Sequence, residues 1–459
     1  MATLAGVGAA IILVASDQIG GTYTAVLIAC LVLAFLSFGL VLTGRLAHAI
    51  GVYLLLLPLA GVLGVTSPPV TQHWSLGSTV LLGSLGAIAV GSCLLRGYSV
   101  AASRGALLSA CLMGVSFIPS ILCSSDPARS FATYLILIIS PIVVFWLVAL
   151  ALRSTADIKQ IASYLVAGLG LACLMGFYFV RHSEAGTLGF RRAIGFPDLH
   201  INISAQILAG VIPLAVVLAL SERRLLQKTL WALTLVLLVG LQLGLASRTA
   251  YVGLAIGLAA LGLAKVAKDR TWMIIALLIL VTLGGLFYPI LLSRAVVAVG
   301  PGMVDPDLVY REHRWTLWTT AFRMIIARPL FGVGIDMFGS AYSKYGQRLP
   351  SYQQFSGHPH NVYIQIGAES GLVALGGFAI FFLFVARHAF RHLLGRNSLK
   401  QPNWLFVGLA AGWLASSVTM LFDGEPFGFM MNPTPGIVYM TLCACVVATG
   451  WVADRRSSA

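Results

Sequence analysis

Charge is what this sequence has least of. Charged residues fill 10% of its 459 positions, against about a quarter in soluble domains, which excludes an ordinary globular protein in water. Acids are the scarcest, 15 Asp and Glu against 29 Lys and Arg. There is no HExxH, and the outer acids Asp305, Asp307, Glu312 and Asp336 are too scattered to argue for a site. A divalent metal wants several carboxylates, so neither a metal nor another cofactor is expected. The seven cysteines all lie in or beside apolar runs, at spacings that fit neither a zinc site nor a disulfide framework, and read as small hydrophobes. A soluble domain, a low-complexity linker and a clear internal repeat are also missing.

What is there is apolar sequence, 59% of the chain. A bilayer core about 30 Å thick takes roughly 20 apolar residues per helix. Such runs recur at about 3–19, 22–42, 49–66, 78–95, 105–122, 131–152, 160–180, 201–220, 229–246, 249–264, 272–292, 361–386, 404–422 and 435–452. They predict an all-α polytopic membrane protein of about 12–14 transmembrane helices, with residues 1–459 forming one transmembrane domain. The first run contains Asp17 and has neither a basic leading segment nor a small-residue cleavage site, so it is not read as a signal peptide.

A net charge of +14 would suggest a nucleic-acid partner in a soluble protein; here it has to be counted by side of the membrane. The alternate loops that start with Arg45, ending with the tail 454–459, hold 17 Lys and Arg and are short. They are expected in the cytoplasm with both termini. The other loops hold 12: Arg129, Arg181, Arg191, Arg192, Arg248, Arg294, Arg311, Arg314, Arg323, Arg328, Lys344 and Arg348. Basic residues on the outer face oppose the positive-inside tendency, and eleven of these twelve are Arg. Arg makes planar, bidentate contacts with phosphate. Either these residues pair with Asp305, Asp307, Glu312 and Asp336, or they bind an anionic ligand, which the set as a whole favours.

Two outer loops are long, 181–200 and 293–359. In the second, a helix is predicted over about 307–327, with Tyr310, Trp315, Trp318, Phe322 and Ile325 as its apolar stripe and Arg311, Arg314 and Arg323 beside it. Such a helix suits either the lipid headgroup region or packing on the bundle. The Gly- and Tyr-rich stretch that follows, GVGIDMFGSAYSKYGQRLPSYQQF, is expected to be a loop.

The stretch SGHPHNVYIQIGAESG, residues 356–371, carries the strongest chemical signal. Pro359 disfavours helix at His358, which predicts a helix beginning near His360, with Gly367 and Gly371 on the face of His360. Glu369 would then lie ~13 Å below His360 at about 1.5 Å per residue. A carboxylate at that depth has to be protonated, paired or hydrogen-bonded, and its bland role is a tie between helices. His360, at a water–lipid boundary, is the candidate proton acceptor; His358 is the lesser one. Arg248 interrupts two apolar runs in LGLASRTAYVGL, and Arg191 and Arg192 precede a helix expected after Pro197, whose first-turn amides add anion affinity. Arg for phosphate and His for proton transfer together suggest a lipid-linked diphosphate substrate.

The stretch GHPHNVYIQIGAESGLVALGG resembles the signature of the O-antigen ligase and polymerase superfamily: His360, Asn361, nine residues, then Gly371, with Ala374 in place of the final Gly, Thr or Val. The ARPLFGVGIDMF and SRTAYVGL stretches are also similar to that family. The resemblance implies a GT-C-type glycosyltransferase of the bacterial inner membrane with its active site facing the periplasm. The donor would be an undecaprenyl-diphosphate-linked glycan and the acceptor lipid A–core, with membrane lipid around both and no nucleic acid. The reaction it implies is inverting and metal-free. His360 would act on the acceptor hydroxyl, and Arg191 or Arg192 with Arg248 would bind the diphosphate, while Asn361, His358, Arg311, Arg314 and Glu369 support the site.

Three other functions share parts of this pattern. An O-antigen polymerase uses the same donor, and Arg323 and Gly339 fit its Arg–fifteen–Gly spacing, which a chain with 48 glycines also supplies by chance. A protein O-oligosaccharyltransferase differs only in acceptor. A transporter or flippase would show mid-membrane charges, related halves and broken helices.

Overall fold

The computed structural model describes residues 39–66, 104–181, 201–245, 247–266, 306–346, 357–394, 403–422 and 433–457, with isolated residues at 35, 85, 86, 88 and 92. All regular structure among them is helical. In chain order the α-helices are α1 (Leu46–Thr66), α2 (Arg104–Ser116), α3 (Ile118–Leu122), α4 (Pro127–Thr133), α5 (Ser140–Ala151), α6 (Thr155–Arg181) and α7 (Ile201–Ser221). They continue with α8 (Leu225–Leu245), α9 (Arg248–Val266), α10 (Pro306–Ala327), α11 (Phe338–Tyr345), α12 (Val362–Leu394), α13 (Trp404–Thr419) and α14 (Thr434–Ser457). A π-helical turn, Tyr134–Ile139, joins α4 to α5.

Six of the described stretches are long and apolar enough to cross a membrane, and α9, α13, α14 and part of α1 are shorter apolar helices. The protein is therefore an all-α polytopic membrane protein. The expected runs at 3–19, 78–95 and 272–292 fall mostly or wholly outside the described residues, as does most of 22–42. The run at 105–122 divides at Phe117, ahead of Pro119.

Glycines set the helix directions by letting backbones touch. A Cβ on Gly412 would lie 2.1 Å from the Gly210 carbonyl oxygen, and one on Gly408 would meet Val217. Gly253 lies against Ala415 and Thr419, and Gly257 against Ala411. Both sets show α13 antiparallel to its neighbours, α7 in one case and α9 in the other. The amino-terminal ends of α7 and α9 therefore share one end of the bundle with the carboxy-terminal end of α13. The Val362 N–H donates to the Met420 carbonyl (3.0 Å), which brings the start of α12 to the same end.

The opposite end collects basic residues. Antiparallel packing of α2 on α12 puts Arg104 there, since Gly377 lies against Ser116 and Leu112. A Lys159–Glu222 ion pair (2.8 Å) fastens the start of α6 to the end of α7 beside Arg223 and Arg224. Arg104, Lys159, Arg223 and Arg224 thus lie at the end opposite the starts of α7, α9 and α12.

The insert is built differently from expectation in two ways. Its first helix, α10, buries Leu317, Thr320, Ala321 and Met324, while Trp315, Phe322 and Ile326 are exposed. The expected stripe mixed these two faces, because residues 315 and 322 lie one heptad apart on the side opposite 317, 321 and 324. The second difference is α11, a helix inside the stretch expected to be a loop. Its Phe338 N–H is capped by a carboxylate oxygen of Glu369 (3.0 Å), an interaction between distant parts of the chain that local periodicity cannot show.

The expected straight face from His360 through Gly371 is also absent. At Gly371 the backbone of α12 leaves helical geometry, with φ 76° and ψ 179°, a region open essentially to Gly alone. The segment 329–334 fills the break. Val333 and Gly334 N–H groups donate to the carbonyls of Ala368 (3.1 Å) and Glu369 (2.8 Å), and Leu372 and Val373 N–H groups donate to those of Pro329 (2.7 Å) and Leu330 (3.3 Å). A Cβ on Gly371 would lie 2.2 Å from the Leu330 oxygen, and one on Gly332 would lie 2.3 Å from the Glu369 carbonyl. Gly371→Ala should destabilise the protein by more than about 3 kcal/mol, strain and overlap acting together, whereas Gly376→Ala, which meets no atom within 4 Å, should leave thermal unfolding in detergent unchanged or slightly raised.

Candidate functional site

The site grows from the turn before α12. Asn361 caps that helix: its Oδ1 accepts the Ile364 N–H (3.0 Å) and its Nδ2 donates to the Leu421 carbonyl (2.9 Å). A short polar side chain with both a donor and an acceptor suits this place, because one end closes the helix and the other ties it to α13. Helix α12 starts at Val362, so His360 stands outside the first turn in which it was expected, and the cap takes the place assigned to the histidine.

His360 has φ 53°, in the left-handed region, which His, Asn and Asp tolerate better than most residues. The preceding carbonyl, of Pro359, accepts the indole N–H of Trp318 from α10 (2.8 Å). His358 is buried and its ring lies 4.2 Å from that of His360, at 52°. The two histidines thus form one cluster, His360 partly accessible and His358 beneath it. Trp318 was assigned to an apolar stripe, and the sequence carries no local signal for its bond across 41 residues.

Arg248 is the first residue of α9 and is exposed. Its helix begins at the end of the bundle that holds the His–Asn turn. Beside it, Ser247 is buried with its hydroxyl 3.2 Å from that of Thr249. Helix α7 also begins at this end, at Ile201; Arg191 and Arg192, which precede it, lie outside the described residues. Helix α14 begins here too, since Pro435 and Val438 share a pocket with Thr419 and Met420. Four helix amino-terminal ends therefore converge with Arg248 and His360. A helix amino-terminal end carries a partial positive charge and N–H groups without intrahelical partners, which favour an anion, although at α12 the Val362 and Ile364 N–H groups are already taken by Met420 and Asn361.

Glu369 belongs to the support of the site. Besides capping α11, it accepts the Gln365 side-chain N–H (3.2 Å), and its own carbonyl receives the Ser120 hydroxyl (2.9 Å). It is buried and hydrogen-bonded. Asp336 pairs with Arg129 (2.8 Å), so this arginine of the expected anion-binding set serves the structure. Arg328 and Arg323 likewise donate to the carbonyls of Cys123 and Tyr345 (3.3 Å each). Arg314 is half-buried on α10, and Arg311 is one turn earlier on the same helix.

No curated protein matches the chain. Residues 233–379 match the family model described as O-antigen ligase, about a third of the sequence. This match supports an activity of the ligase or polymerase type, which in general joins a polysaccharide donor to a lipid acceptor. The matched stretch spans Arg248, α10, α11, the His–Asn turn and the Gly371 break, and over these residues the chain is similar to the O-antigen ligase family.

Proposed function

We propose that this protein transfers O antigen from undecaprenyl diphosphate to lipid A–core at the periplasmic face of the bacterial inner membrane. The observation that carries the reading is the convergence, at one end of the bundle, of His360, Arg248 and the amino-terminal ends of α7, α9, α12 and α14. The other end, with Arg45, Arg104, Arg153, Arg223, Arg224 and Arg387, is the cytoplasmic one by the positive-inside tendency, which leaves the candidate site outside and accords with the expectation from the loop charges that both termini are cytoplasmic.

In this mechanism the acceptor hydroxyl attacks the anomeric carbon from the side opposite the diphosphate. The new C–O bond forms as the bond to the diphosphate oxygen breaks, inverting the centre. His360 takes the hydroxyl proton. Undecaprenyl diphosphate leaves with the bonding electron pair, and its developing charge is met by Arg248, by the helix amino-terminal ends and by Arg191 or Arg192. No step calls for a metal ion. The break in α12 does not favour a transporter: the backbone groups it frees are bonded to segment 329–334, so they do not line an ion path.

The test is transfer by purified protein, given undecaprenyl-diphosphate-linked glycan and lipid A–core in EDTA. Native protein should transfer. His360→Asn keeps a residue suited to the left-handed backbone and should fold normally, yet lose about 100-fold or more of the rate, the low end of general-base contributions. Arg248→Ala should lose a similar factor. Chain lengthening of the donor with lipid A–core untouched would make the protein a polymerase instead, and a requirement for added metal would sink the mechanism. Variants of Asn361 should rank Asn, then Ser, then Ala in both rate and thermal stability. Ser keeps the cap and loses the tie to Leu421, whereas Ala loses both, at about 1 kcal/mol for the cap.

A further inference from the structure

A small, mainly apolar pocket opens between α7, α13 and α14, and its lining includes Gln206, Ile207, Ser416, Thr419, Met420 and Tyr439. Two of its polar side chains are already engaged. The Thr419 hydroxyl donates to the Ser416 carbonyl (2.7 Å), and the Tyr439 hydroxyl accepts the indole N–H of Trp413 (3.1 Å). Gln206 differs. It is 5% exposed, and its Nε2 has no hydrogen-bond partner among the described residues. Buried amides are nearly always paired, since an unmade bond costs the full desolvation of the group. A leucine would fill this place without that cost. An amide kept here at the expense of stability points to a ligand that completes it.

Position narrows what that ligand is. Gln206 lies in the second turn of α7, the helix that Arg191 and Arg192 precede. Met420, in the wall of the pocket, holds the Val362 N–H through its carbonyl and so belongs to the frame of the His–Asn turn. The pocket is therefore next to the candidate site, at the end where the helix amino-terminal ends gather. We propose that Gln206 is a substrate-contacting residue, its Nε2 donating a hydrogen bond to an oxygen at the diphosphate–sugar junction of the lipid-linked donor. A phosphate oxygen and an oxygen of the first sugar offer the same acceptor chemistry. This assignment rests on the donor named under the proposed function.

Binding to the purified full-length protein tests it with two probes: undecaprenyl diphosphate, and the same lipid bearing one N-acetylglucosamine. Native protein should bind both. Gln206→Leu should weaken binding about fivefold, the worth of one neutral hydrogen bond, and Gln206→Glu should weaken it further by repelling the diphosphate. Equal loss for the two probes assigns the contact to phosphate, and loss for the glycosylated probe alone assigns it to the sugar. The thermal midpoint of Gln206→Leu without lipid should equal or exceed the native value, because an unpaired buried amide has been removed. Unchanged dissociation constants in both variants, or a midpoint that falls along with affinity, would overturn the assignment. Native protein that binds neither probe would instead overturn the donor reading on which it rests.

Discussion

Inside a bilayer every backbone N–H and C=O must find a partner within the protein, and the rest of this structure depends on how that demand is met at Gly371. The helix opens there, which frees carbonyls on one side of the break and amides on the other. Segment 329–334 supplies the matching groups in reverse order, amides from Val333 and Gly334 and carbonyls from Pro329 and Leu330. Gly332 and Gly371 make the contact possible by leaving out a Cβ on each side. The insert is thereby joined to the membrane helix through main chain, which fixes position more tightly than side-chain packing does.

From that junction the support runs outward. Glu369, next to the break, caps α11 and so orients the second half of the insert. From the α3–α4 side Ser120 donates to the Glu369 carbonyl, Ser130 to the Ile335 carbonyl and Arg129 to the Asp336 carboxylate, while Arg328 of the insert donates back to the Cys123 carbonyl. On the other side α10 carries Trp318 to the Pro359 carbonyl. The His–Asn turn is thus held at three points: by the insert through Trp318, by α13 through Leu421 and Met420, and by its own cap at Ile364. The proposed role of His360 toward an acceptor hydroxyl calls for such a frame, because small displacements cost large factors in rate.

The exposed face of α10 has a place in the same scheme. Trp315, Phe322 and Ile326 point away from the bundle, and exposed Leu330, Leu372 and Val373 lie at the junction beyond them. Of the two roles weighed for this helix, one face packs on the bundle, and the exposed apolar face leaves room for the headgroup-region role as well. A lipid-linked substrate held with its head near His360 keeps its chain in the bilayer, so an insert that borders lipid on one side and the His–Asn turn on the other suits such a substrate.

The sequence by itself determined the membrane class, the apolar runs that form the described helices, the division of basic loops into two sets and the His360–Asn361 element, because hydropathy, charge and a short motif are local properties. It also marked Gly371, through the motif, but with the wrong role: a glycine that eases helix packing and one that breaks a helix look alike in one dimension, and only the φ of 76° separates them. The buried face of α10, the helix α11, the Trp318–Pro359 bond and the engagement of Arg129 by Asp336 were decided by tertiary structure alone. Each joins groups far apart in the chain, and neither periodicity nor propensity reports on a partner that the fold has yet to bring near.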